Sequence, residues 1–230
     1  MHLSPSDIQG MYIYRTRPEY NQALNLAAQV LGASGGRVLA LLSAPIFATE
    51  LYKRCPFLLE FSGGQAFGDM AQFIHFSKGW AWGGVSEASI DALPATTYKS
   101  FFWAEPELES ATEVARRLRQ VAVPGARLVV IASSFLRRFL PEWSQSAEPL
   151  SANPVSPRKV LQLLTSAGWH IERQVGFHGP RAVFLGVLYR VALQAGRLDW
   201  ADRCLFASRA AYQETGWLVN YAPVVLIQAR

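Results

Sequence analysis

Few residues in this chain have the type and setting for chemistry. His178 stands in Gly176-Phe177-His178-Gly179-Pro180, at the end of a run that reads as a strand. A histidine so placed is the leading candidate for a general base; its other reading is a plain loop residue beside Gly and Pro. Glu60 falls near the carboxyl end of Phe57-Leu58-Leu59-Glu60-Phe61, where it is either a binding residue or a solvated glutamate. Trp103, in Trp103-Ala104-Glu105 after another strand-like run, either stacks on a flat ligand or belongs to the core. His75 lies among Phe73, Ile74 and Phe76 and reads as structural. No Ser-His-Asp order with an elbow motif, no P-loop and no paired-carboxylate signature occurs. Cys55 and Cys204 are far apart and match no CxxC or Cys/His spacing, so no zinc site is expected.

The elements that must position these residues alternate along the chain. Arg37–Leu42 is apolar on both faces, as a central parallel strand covered on both sides would be. Strands are also predicted at 57–61, 80–85, 98–103, 127–131 and 169–177, with a last strand-like run at 217–228. Pro223 in that run suggests an edge position. Helical spacing links Tyr20, Leu24, Ala27, Ala28 and Leu31, with Pro18 in the first turn and Gly32 as a stop. Other helices are predicted through Phe47, Leu51 and Tyr52, over 67–77, 110–121 and 159–166, and over 182–195 and 200–212. Ser110-Ala111-Thr112-Glu113 has the form of a capping box, Pro124-Gly125 of a turn, and Ser156-Pro157 of a helix start. Residues 137–155 read as a surface loop. The order predicts an α/β fold: a Rossmann-like, doubly wound, mostly parallel sheet with helices on both faces.

Composition narrows the class. At 230 residues, half of them hydrophobic and 17% charged, the chain suits one globular domain over 1–230. Within it, 1–19 reads as an N-terminal arm, with Tyr12 and Tyr14 either packing it down or lidding a pocket. The net charge of +5 is spread over short pairs such as Arg116-Arg117 and Arg137-Arg138, not a basic run, so no nucleic-acid partner is expected. No signal peptide and no membrane-spanning run is recognised, and the cysteine usage suits a reducing compartment, so a cytoplasmic location is expected.

This layout resembles the class I S-adenosylmethionine-dependent methyltransferase family. Arg117-Leu118-Arg119-Gln120-Val121-Ala122-Val123-Pro124-Gly125-Ala126-Arg127-Leu128-Val129-Val130 is similar to that family's helix, proline–glycine turn and fifth strand. Leu161 to His170, with Ser166-Ala167-Gly168-Trp169, is similar to its approach to the sixth strand, and Leu93-Pro94 sits where many members carry Leu-Pro. The resemblance implies a seven-stranded sheet with an antiparallel last strand, and a helical cap insertion at 181–213 before it. It implies S-adenosylmethionine as cofactor. Ser43 and Ala44 would then lie in the first turn, Glu60 would meet the ribose hydroxyls, and Glu87 or Asp91 would meet the adenine amine. Trp103 would line the crevice, with His178 facing the cap. The family's first strand usually ends D-x-G-x-G-x-G; the matching positions here are Ala40, Leu42, Ala44 and Ile46, which supply neither the acid nor a glycine.

Two readings follow. One is a methyltransferase acting on a small, aromatic or apolar acceptor, which asks mainly for alignment of donor and acceptor and at most one base. The other is a catalytically degenerate or repurposed member serving as a binding or scaffold subunit, whose cap residues Trp200, Phe206 and Tyr212 form a partner surface. A homodimer is compatible with either. A nicotinamide-dependent enzyme fits less well, because it needs the glycine fingerprint even more.

Overall fold

A computed structural model describes residues 18–33, 38–42, 51, 54, 59–62, 86, 87, 95, 98–140, 155–210 and 216–230. The strands are β1 (Val38–Leu42), β2 (Leu59–Ser62), β3 (Ser86–Glu87), β4 (Tyr98–Ala104), β5 (Ala122–Ser133), β6 (Ile171–Phe177) and β7 (Val224–Ala229). They form one sheet in the order β3-β2-β1-β4-β5-β7-β6. β1 to β5 pair in parallel, whereas β7 runs antiparallel between β5 and β6. The carboxyl ends of β1, β2, β4, β5 and β6 therefore share one edge of the sheet, together with the start of β7.

Helices cover both faces. On one, α1 (Pro18–Gly32) lays Tyr20, Leu24, Ala27 and Leu31 over Ala40, Phe102, Ile131, Phe177 and Val224. On the other, α2 (Ala111–Val121) and α3 (Pro157–Ser166) lay Ala115, Leu118, Val160 and Leu164 over Leu39, Phe101, Leu128, Val130 and Ile227. This is why Val38–Leu42, Phe101–Ala104 and Leu128–Ala132 are apolar at every position. Each such Leu, Val or Phe contributes roughly 1.5–3 kcal/mol by leaving water. Trp169 locks the second layer: its Nε1 donates to the Ala115 carbonyl at 3.2 Å, Phe101 meets it edge-on at 5.8 Å and the Arg119 guanidinium lies 5.1 Å from its ring centre.

After β6 come α4 (Pro180–Gln194) and α5 (Leu198–Ala210), which pack on each other through Tyr189, Ala192 and Ala201. The face of α4 turned to the body crosses the 3-10 turn Phe135–Phe139 at Gly186, where a Cβ would overlap the Phe139 carbonyl. Arg190 donates to the Arg138 carbonyl beside that crossing. A second 3-10 turn, Gly216–Tyr221, leads into β7.

Several local expectations need correction. Ser110 makes no side-chain cap: it has helical backbone angles, the preceding turn is closed by the Ala111 N–H on the Glu107 carbonyl, and Glu113 pairs with Arg116 at 2.6 Å instead. Pro223 does not mark an edge strand. It stands just before β7, which is interior, and its carbonyl accepts from the Ser134 N–H at 2.8 Å. Pro124-Gly125 does turn, with Gly125 at φ 77°, but inside β5, where the register with β4 jumps from Tyr98↔Ala122 to Ser100↔Arg127. Ser156, by contrast, caps α3 by accepting from the Lys159 N–H at 3.4 Å, and Gly168 closes it at φ 85°. The predicted elements at 67–77 and 80–85, the arm tyrosines Tyr12 and Tyr14, and most of the 137–155 loop lie outside the described residues.

Candidate active-site crevice

At the carboxyl edge, Leu42 is level with Ala104, and Ala104 with Ile131. One residue on, Glu105 turns out of β4, its N–H donating to the Ile131 carbonyl at 2.8 Å. Ser133 ends β5 opposite Val224, which is opposite Phe177, the last residue of β6; His178 follows. Glu105, Ser133 and His178 thus stand along one edge, each at or just beyond a strand end. Among the described residues, the non-glycine positions with left-handed backbone are Glu105 (φ 51°) and His178 (φ 56°). Glu105 lacks the short polar side chain that eases this region and stores of order 1 kcal/mol of backbone strain where β4 leaves the sheet; histidine is one of the residues found there more often, and His178 takes the same geometry where β6 leaves it.

The Glu105 carboxylate is buried and fully engaged. Its Oε1 accepts from the Tyr20 hydroxyl of α1 at 2.8 Å. Its Oε2 accepts from the Ser133 hydroxyl at 2.7 Å and from the Arg137 guanidinium, in the 3-10 turn after β5, at 3.5 Å. Arg137 also donates to the Ser133 hydroxyl. Loss of water around Glu105 raises its proton affinity above the usual carboxylate range, and Arg137, Ser133 and Tyr20 oppose that shift without cancelling it. The cluster ties α1, β4, β5 and the following turn together at the edge of the sheet.

The sequence candidates are placed unevenly. His178 is buried, 1% exposed, between β6 and Gly179, which precedes α4. Trp103 is level with Leu41 and Val130, and at 5% exposure its ring belongs to the core layer under α2. Glu60 is the second residue of β2, level with Leu39 on β1 and Ser86 on β3, with Phe61 and Ser62 following it. Glu87 pairs one rung further along, with Phe61. Ser43, Ala44 and Asp91 lie outside the described residues. Glu60 therefore stands two residues short of the carboxyl end of β2 at Ser62, level with Leu39 and not at the crevice edge where its place in the sequence suggested; within β1 itself, Ala40 and Leu42 offer no carboxylate.

Tyr20, Ser133 and Arg137 did not stand out in the sequence. Tyr20 looked like one more apolar helix position, and Arg137 like half of a surface pair with Arg138. Arg138 is in fact the exposed member, its guanidinium 4.9 Å from the Phe139 ring centre.

No protein-family model matches the chain, and no curated protein matches it in sequence. Solved structures do match in shape. The [4+2]-cyclase SpnF shares 16% identity over 92% of this chain and 80% of its own, with a TM-score of 0.55. An S-adenosylmethionine-dependent methyltransferase from Mesorhizobium loti shares 14% identity over 94% of this chain and 99% of its own, with a TM-score of 0.54. Phosphoethanolamine N-methyltransferase 2 of Haemonchus contortus shares 12% identity over 96% of this chain and 56% of its own, with a TM-score of 0.51. The fold is that of the class I S-adenosylmethionine-dependent methyltransferases. A cyclase among the neighbours shows that this architecture does not fix the reaction.

Proposed function

We propose that this protein is an S-adenosylmethionine-dependent methyltransferase acting on a small, aromatic or apolar acceptor. The observation that carries the reading is the sheet order, with antiparallel β7, which sets the carboxyl ends of β1, β2 and β4 side by side as one crevice edge with Glu60 on the strand next to β1. When bound, the cofactor supplies an electrophilic sulfonium methyl group. Of the chain's own residues, Glu60 would accept from the ribose hydroxyls, Glu87 would meet the adenine amine, Ser43 and Ala44, which follow β1 in the sequence, would contact the cofactor, and Trp103 would back the crevice wall from the core. His178, at the end of β6, holds the proton leaving the acceptor. Burial of His178 suits this role, since alignment and exclusion of water are most of what such a transfer needs.

Calorimetric titration of purified protein, freed of co-purified ligand, with S-adenosylmethionine and S-adenosylhomocysteine tests this. Micromolar binding is expected, weakened about tenfold or more by Glu60→Ala, a loss of roughly 1.4 kcal/mol. No heat at millimolar ligand with folded protein refutes the reading.

A further inference from the structure

The turn after β5 and the second half of α4 bring two arginines onto one aromatic ring. The Arg138 guanidinium lies 4.9 Å from the centre of the Phe139 ring, and that of Arg190 lies 6.0 Å from the same centre. Arg190 reaches the turn because Gly186, one helical turn earlier on α4, lets the helix cross against the Phe139 carbonyl. Its fork then donates to the Arg138 carbonyl, while its Nε is buried and has no acceptor. Arg138 is exposed, and its side-chain nitrogens have no acceptor among the described residues. Neither guanidinium meets a carboxylate there either, since Glu105 is taken by Arg137. The turn leaves the carboxyl end of β5, so the pair stands at the same edge of the sheet as Glu105 and His178.

Two like charges gathered on one ring repel each other until an anion joins them. Each keeps N–H donors that its contacts inside the protein do not use, and a guanidinium fork matches the paired oxygens of a carboxylate or a phosphate. Phe135 adds the second half of the recognition. It opens the same turn, is 66% exposed, and has the Arg138 guanidinium 5.4 Å from its ring centre. A phenyl ring held in water beside a cation offers a flat face to another aromatic ring, while the guanidiniums take that ring's anionic substituent. A clip that only holds α4 to the turn would account for Arg190 and its bond to the Arg138 carbonyl. It would account neither for the charge on Arg138 nor for the exposed ring of Phe135.

We propose that Arg138 and Arg190 seat the anionic group, a carboxylate or a phosphate, of an aromatic acceptor whose ring lies against Phe135. That the bound molecule is the acceptor rests on the proposed methyl transfer, but its binding is measured without cofactor. S-adenosylmethionine binding without anion binding therefore refutes the seat alone, and anion binding at the seat without S-adenosylmethionine binding refutes methyl transfer alone. The test is calorimetric titration of the full chain with phenyl phosphate and with benzoate, and with benzyl alcohol as the neutral counterpart. At least one anion should bind about tenfold or more tightly than the alcohol, and the tighter of the two names the group. Arg138→Gln breaks no hydrogen bond of the protein and should weaken that binding about tenfold at unchanged melting temperature. Phe135→Ala should weaken the aromatic anion while leaving its ring-free counterpart, inorganic phosphate or acetate, unchanged. Binding of neither anion, equal binding of the alcohol, or an Arg138→Gln protein that binds like the parent each overturns the proposal.

Discussion

Replacing Arg137 by Met keeps most of the side chain's length and removes only its charge and donors, so it isolates the ion pair with Glu105. The Glu105 side chain is wholly buried and Arg137 nearly so, with 3.5 Å between NH1 and Oε2. Removing one member of such a pair leaves the other buried without a counter-charge, typically at a cost of about 3–5 kcal/mol. Glu105 has a way out that Arg137 lacks: it can take up a proton, and each unit of pKa shift is worth about 1.4 kcal/mol. Burial already holds the folded pKa of Glu105 above its unfolded value, and Arg137 is the strongest opposing influence. In the parent, the folded state therefore binds this proton more tightly than the unfolded one. The stability linked to that proton is full below the unfolded pKa and is lost as pH rises through the folded pKa. Arg137→Met moves the folded pKa further up and widens that window, so its deficit must grow with pH. At pH 8 we expect a loss of about 3 kcal/mol, or roughly 6–12 °C in melting temperature for a chain of this size. At pH 5 the deficit should be less than half of that. Denaturant and thermal melts followed by circular dichroism at constant ionic strength measure both. A deficit independent of pH, or below about 1 kcal/mol at pH 8, would refute the pairing. The double variant with Glu105→Gln should recover much of the loss, since no buried carboxylate remains to be compensated.

Two further outcomes follow from single contacts. Tyr20→Phe removes the hydroxyl that donates to Glu105 at 2.8 Å and nothing else, so it should cost about 1.5–3 kcal/mol at pH 8 and less at pH 5, read by the same melts. Gly186→Ala puts a Cβ against the Phe139 carbonyl, a backbone group that cannot swing aside. We expect a loss of about 1–3 kcal/mol and loosening of α4 from the 135–139 turn, seen as faster amide exchange there; an unchanged melting temperature would show that the crossing is not tight.

The scaffold was legible where one physical signal dominated. β1, the Phe101–Ala104 part of β4 and the Leu128–Ala132 part of β5 are apolar on both faces because helices cover both, and α1 and α3 show their buried stripes directly in the spacing. Ser156 and Gly168 mark the ends of α3 because capping is a local matter of one hydroxyl and one left-handed residue. Local rules misled where tertiary context supplied a substitute. Ser110 has no need to cap α2, because the Glu107 carbonyl already closes the turn before it. Pro223 lacks an N–H but needs none just before the ladder, and its carbonyl is used by Ser134.

The Glu105 cluster was not legible, because its members are unremarkable alone. Tyr20 is 85 positions from Glu105, and Ser133 and Arg137 are 28 and 32 positions away. Only the crossing of α1 over the ends of β4 and β5 brings them together. That arrangement also constrains the chemistry of the crevice. A buried carboxyl group tied to a phenol, a hydroxyl and a guanidinium of the protein has both its oxygens committed to internal contacts. Glu105 is thus a brace between α1 and the sheet. The base proposed for the acceptor falls to His178, which shares the left-handed backbone geometry of a residue leaving a strand but stands at the other side of β7, just before the α4–α5 hairpin.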